Sequence, residues 1–179
     1  MSLTEYDLKK RLEQNYPHLQ LSPIDPDQLI FEERVKVNCF YCPDYNLCLT
    51  CPGHLPNKLD LPKAIHESNH ALFVWKTYEI TDDNKASIFR ESGREIHHAL
   101  LDLETILMAE NCPMALSFLA GRCRLCDECP TDGPCRNPGK ARISLDATSC
   151  NVVKSASQAG ISIDFADHSH FKRIGLICW

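Results

Sequence analysis

The chain has 179 residues, 44% of them apolar and 24% charged, with a formal net charge of −5. This length predicts one domain with room for a small appendage, able to bury roughly 70% of its unfolded surface without staples. No run of ~18 apolar residues offers a membrane span, residues 1–7 lack the basic-apolar-small succession of a signal peptide, and the acidic balance argues against bulk attraction to nucleic acid or anionic lipid.

Residues 3–16, with Leu3, Leu8 and Leu12 among charged residues, predict a short amphipathic helix ended by Pro17. A linker punctuated by Pro23 and Pro26 follows, so residues 1–28 are expected to form an N-terminal helix and linker and residues 29–179 the main domain. Residues 29–37 alternate partly and are rich in β-formers, which predicts a strand leading into a group of cysteines. Residues 52–62, with Pro52, Gly53, Pro56 and Pro62, read as loop, and residues 71–80 (ALFVWKTYEI) as a strand of branched and aromatic side chains. Asp82 or Asp83 can cap a long helix reaching about Glu110, with Ile96, Leu100, Leu103 and Leu107 at helical spacing, and Pro113 stops it. Residues 115–120 form an apolar run expected to be a buried strand. Ser144 or Asp146 can cap a helix through Ala159, closed by Gly160. Residues 161–165 and 173–178 read as short strands. The expected class is α+β: a small mixed sheet of four or five strands, about three helices and two cysteine-rich metal-binding loops.

Eleven cysteines, about 6% of the chain, fall below the ~8–10% of a disulfide scaffold. Without a secretion signal the expected compartment is the cytoplasm, where thiols stay reduced and clustered cysteines serve as metal ligands or redox groups. Eight of the eleven fall in two groups: Cys39-x2-Cys42-x5-Cys48-x2-Cys51-Pro52, and Cys123-x2-Cys126-x2-Cys129-Pro130-x4-Cys135. Four crowded thiolates repel one another and lose hydration on folding, so a soft cation is needed to hold them. Three cysteines at two-residue intervals, a more distant fourth and an adjacent proline resemble the ferredoxin-type loop of a [4Fe–4S] cluster. Zinc sites more often pair two CxxC knuckles across about 12–20 residues. The first group, with five residues between its pairs, fits a second [4Fe–4S] cluster or, alternatively, zinc at Cys39, Cys42, Cys48 and Cys51. Exchange of ligands between the groups is open, as in two-cluster ferredoxins.

Arg122, Arg124, Arg136, Lys140 and Arg142 flank the second group against Asp127, Glu128 and Asp132, either to raise a cluster's potential or as a solvated loop. Backbone N–H groups near Gly121, Gly133 and Gly139 are candidates for bonds to sulfur. Cys112, Cys150 and Cys178 read as buried small apolar residues, and His66 with His70, His97 with His98, and His168 with His170 as packing or surface residues, since nothing like HExxH accompanies them. Nucleotide, triad and calcium motifs are missing.

These residues resemble a prokaryotic family of predicted metal-binding proteins of unknown function, common in anaerobes. The resemblance runs from about residue 34 onward. It rests on the early cysteines ending Cys51-Pro52, on AxxxxAGRCRLCDECPTDGPCRNPGKAR over residues 115–142, and on residues 143–160 ending NVVKSASQAG. It implies cluster binding at Cys123, Cys126, Cys129 and Cys135 and at the first group. Cys150 stands where the family pattern leads one to expect a small residue such as glycine.

The expected function is an iron–sulfur protein, with two [4Fe–4S] clusters, that moves single electrons as a small carrier or as a subunit with a redox protein partner or larger enzyme complex. The alternatives are a zinc-stabilised interaction module and an iron–sulfur enzyme with an open cluster site. No catalytic residue is assigned, and neither nucleic acid nor a membrane span is expected.

Overall fold

Thr4 opens the first helix, α1 (Glu5–Glu13), by a reciprocal cap. Its hydroxyl accepts the Asp7 N–H at 3.3 Å while the Asp7 carboxylate accepts the Thr4 N–H at 3.0 Å. The computed structural model describes residues 4–130 and 132–179, so Leu3, read as the start of this helix, lies outside the described residues.

Four strands form one sheet in the order β1-β2-β4-β3, and each named pair is antiparallel. The strands are β1 (Gln20–Ile24), β2 (Ala71–Glu79), β3 (Leu116–Phe118) and β4 (His170–Cys178). The central pair, β2 with β4, is in register from Ala71 opposite Cys178 to Glu79 opposite His170. Alternation along β2 sends Leu72 and Val74 to one face and Ala71 and Phe73 to the other. Under the first face lie α1 and the long helix α4 (Lys85–Ala109), through Leu8, Leu12, Ile96, Leu100, Leu103 and Leu107. Under the second lie α3 (Leu61–His66) and α5 (Val152–Gln158), through Ile65, Leu145, Ala156 and Leu176. The chain is α+β as expected.

The differences from the sequence reading have local causes. Residues 29–37 do not form a strand; α2 (Glu33–Phe40) occupies their second half. The Glu32 carboxylate before that helix accepts bonds from Asn151 Nδ2 at 2.6 Å, Lys154 Nζ at 2.7 Å and Arg34 Nε at 2.7 Å, so tertiary contacts override the β-propensity of Val35 and Val37. β1 was hidden by Pro23, which an edge strand tolerates because its missing N–H costs no central ladder bond. Within residues 52–62, a 3-10 turn (Pro52–His54) and the start of α3, capped by Asp60, interrupt the loop. Residues 161–165 pair with nothing regular. The helix expected over residues 144–159 is split into a 3-10 turn (Asp146–Thr148) and α5, capped by Asn151, because Ser149 between them adopts a left-handed φ of 72°. Five α-helices result among the described residues, against about three expected.

Candidate metal centre

The second cysteine group rides on an excursion cinched at its base. Leu119 N–H donates to the Ile143 carbonyl at 2.8 Å, and Leu145 N–H donates to the Leu119 carbonyl at 2.9 Å. Between these bonds, residues 120–142 contain no described helix or strand. One side of α4 grips this loop along its length. Arg94 donates to the Arg124 carbonyl at 2.9 Å and to Asp127 at 2.8 Å. Three residues on, His97 Nε2 meets the Lys140 carbonyl at 2.8 Å, and Glu104 pairs with Arg142, whose Nε lies 2.8 Å away. Arg173 from β4, stacked on Phe89 and Phe171, donates to the Ala120 carbonyl at 3.1 Å.

The first group starts in the last turn of α2 with Cys39 and continues through a loop that turns at Asn46, where φ is 57°. Asp44 ties this loop to the other, accepting from Arg122 Nε at 3.0 Å with Arg124 at 3.7 Å. A Cβ at Gly53 would fall 2.2 Å from Asn46 Oδ1, so a larger residue there would displace the Asn46 side chain.

The two loops meet at Cys48. Its side chain is buried and its sulfur lies 3.9 Å from the Cys123 carbonyl oxygen. Its neighbour Leu49 gives its N–H to Cys129 Sγ at 3.4 Å. Cys48, Cys123, Cys126, Cys129 and Cys135 all line one cavity, with Thr50, Leu125, Pro130 and Asn137. Asn137 donates twice to sulfur, by its backbone N–H to Cys135 at 3.4 Å and by its side chain to Cys126 at 3.2 Å. Cys39 feels the charges of Asp146, Cys42 and Cys51, and Cys51 those of Cys48 and Cys42. Cys39 and Cys42 line a groove of about 320 Å³ with Asp146 and Cys150.

The ionisation of these groups follows from burial and from shared hydrogen bonds. A hydrogen bond between the Cys48 and Cys123 thiols favours a thiolate on Cys48 and holds the proton on Cys123. Burial, and then the nearby Asp146 charge, pushes Cys39 up to about 11. Burial also raises Cys51 and Cys129. The Asp146 carboxyl is raised by desolvation.

Among the described residues, no three or more His, Cys, Asp or Glu side chains already surround the position of a single metal ion. The cavity between the five thiols encloses only about 10 Å³, near the lower limit for one water. By donor chemistry the residues fit a soft metal or an iron–sulfur cluster. By space, a four-iron cube requires the 120–142 loop to spread, which its lack of regular structure permits.

The eight expected cysteines therefore divide unevenly, five around one cavity, two (Cys39 and Cys42) along the groove beside Asp146, and Cys51 lining neither of these two spaces. The basic residues beside the second group are spent on loop contacts: Arg122 on Asp44, Arg136 on the Glu128 carbonyl and Arg142 on Glu104. The N–H groups that reach sulfur belong to Leu49 and Asn137. The sequence did offer a signal for Asn137, which follows Cys135 by two, the spacing at which an N–H turns back to a sulfur. Cys150 and Cys178 are fully buried, as expected of core residues, and Cys112 is half-buried. Of the histidines, His66 packs edge-on against Phe31 and lies 3.3 Å from Asp27, and His97 is buried.

The family model described as predicted metal-binding protein (DUF2284) matches residues 22–178. No curated protein and no solved structure matches the chain.

Proposed function

Since the chain belongs to this family of predicted metal-binding proteins, we propose that it is an iron–sulfur protein, with two [4Fe–4S] clusters held by Cys39, Cys42, Cys48, Cys51, Cys123, Cys126, Cys129 and Cys135. Its role is one-electron transfer in the cytoplasm, as a small carrier or as a subunit of a redox complex. The observation that carries this reading is the convergence on one small cavity of five thiols, four from one loop and one from the other. Thiols packed this densely with only local N–H donors call for a soft cationic guest.

A bound cluster would supply reversible uptake of one electron. The chain's own groups set the surroundings. Asn137 and the Leu49 N–H donate to three sulfurs, which stabilises negative charge there. Leu125 and Pro130 line the cavity, which lowers the local dielectric.

The zinc reading is favoured by one observation, the tightness of the cavity. A tetrahedral zinc with Zn–S near ~2.3 Å needs far less room than a cube. Isolation without air separates the two readings. The iron–sulfur reading expects brown protein with iron and acid-labile sulfide in equal amounts and a visible absorption that dithionite bleaches. Colourless protein holding stoichiometric zinc overturns it.

A further inference from the structure

The long helix α4 turns an arginine face toward the second cysteine loop. Arg90 and Arg94 stand four residues apart and share one side of the helix. Arg94 holds the Arg124 carbonyl at 2.9 Å. The Arg124 side chain lies across the helix at Gly93, where a Cβ would stand 3.0 Å from its Cδ. Arg122 joins them through Asp44, which lies 3.0 Å from Arg122 and 3.7 Å from Arg124. Four guanidinium groups thus gather on one turn of helix and the loop segment around Cys123.

Their counter-charge is incomplete. The carboxylates that pair with them are Asp44 and Asp127, and among the described residues Arg90, which is exposed, has no ion pair. Burial, and then the charges of Arg122, Arg90 and Arg94, lower the pKa of Arg124 against the opposing pull of Asp44. Arg173, stacked on Phe89 and Phe171, feels the Arg124 charge in turn. The chain as a whole carries −5, so this face runs against the molecule's own sign. Guanidinium groups are weakly hydrated and meet carboxylates in a two-pronged fit, which suits them to a surface that loses water on docking. The face also borders the cavity of thiols, since Cys123 and Leu125, on either side of Arg124, both line it.

We propose that this arginine face docks an electron-transfer partner protein through carboxylates on the partner's surface. The assignment rests on the iron–sulfur reading above and names the kind of partner which that reading requires. Opposite charge steers the encounter, and a small polar interface releases the partner once an electron has passed. The rest of the chain, net negative, repels the same partner and so favours approach from this side.

The test uses the full chain reconstituted with iron and sulfide under anaerobic conditions, as wild type, Arg90→Glu, Arg90→Gln and a control at an exposed lysine of α1, Lys10→Glu. Each is checked for native circular dichroism and iron content. Reduced protein is mixed with an anionic oxidant, tris(oxalato)cobaltate(III), or a cationic one, hexaammineruthenium(III). Either takes the one electron that a cluster gives up in passing from 1+ to 2+, and its metal becomes divalent. Lowering the ionic strength should speed oxidation by the anion and slow oxidation by the cation, the reverse of what the net charge of −5 alone gives. At low ionic strength Arg90→Glu should slow the anion by about threefold or more, Arg90→Gln by less, and Lys10→Glu hardly at all. Poly-L-glutamate, standing in for a partner's carboxylates, should inhibit the wild-type reaction with the anion, and about threefold more of it should be needed with Arg90→Glu. Faster oxidation by the cation at low ionic strength, or equal losses in Lys10→Glu and Arg90→Glu, overturns the proposal while leaving the iron–sulfur reading standing. So does poly(U) RNA that binds more tightly than poly-L-glutamate at equal charge concentration, which makes the face a nucleic-acid surface. Wild-type protein lacking iron and sulfide defeats both.

Discussion

His97 illustrates how a single ring couples α4 to the cysteine-bearing loop. A carbonyl can only accept, so the Nε2 facing Lys140 O at 2.8 Å carries the hydrogen, and the buried Nδ1 has no partner. A second proton would sit on that orphaned nitrogen, and burial accordingly lowers the pKa of His97, outweighing the opposing bond to the Lys140 carbonyl. The unfolded chain takes up this proton first, near pH ~6.5. Stability is therefore full above that pH and declines as pH falls through the depressed folded value. Urea unfolding at about pH 7.5 and pH 5.5 should show this decline, by up to ~1.4 kcal/mol per pH unit, and His97→Gln should flatten it. Seven residues along the helix, Glu104 accepts from both Arg142 and Ser117, with the Arg142 and Glu104 side chains only 24% and 14% exposed. Removing one partner leaves the other charge poorly solvated, so Arg142→Ala should lower unfolding free energy by roughly 2 kcal/mol. Equal stability of that variant and the wild type would show that the pair is dispensable.

At the scale of elements, β4 is held against α4 by the lack of a side chain at Gly175. A Cβ there would stand 2.9 Å from Leu100 Cδ1, 3.0 Å from the Phe118 carbonyl oxygen and 3.1 Å from Ile96 Cγ2. Gly175→Ala should therefore cost about 1–3 kcal/mol, read as a lower thermal midpoint, by forcing helix and strand apart. The elements legible in the sequence were those whose own periodicity matches their burial: α4 with its stripe from Ile96 to Leu107, β2, β3 and most of β4. The illegible ones depend on distant partners. Glu32 holds α2 through Asn151 and Lys154, more than a hundred residues away, and β1 exists because β2 offers its edge to a segment containing proline. The cysteine groups were legible by spacing, but their division was not. Whether Cys48 faces its own loop or the other is decided by how Asp44, Arg122 and Arg124 draw the loops together.

Across the whole molecule, two packed cores sandwich the sheet, while the cysteine loops lie at their margin, Cys123 alone of the eight cysteines packing against the core under α4 and the rest held by loop and side-chain bonds. Regular structure should thus survive metal removal better than the loops do. Limited proteolysis of metal-free protein should cut first within residues 120–142, roughly tenfold faster or more than in loaded protein. Equal cleavage of the two forms would show that the loop owes nothing to metal. The sheet order carries a temporal corollary. β3, which leads directly into the second cysteine loop, has β4 as its only strand partner among the described residues, and β4 is made some 35 residues after Cys135. At ~5–20 residues per second, every thiol of both loops leaves the ribosome a few seconds before the strand that anchors β3. During that interval the nascent chain presents an unclosed receptacle, and the arrival of β4 shuts it behind whatever has been delivered.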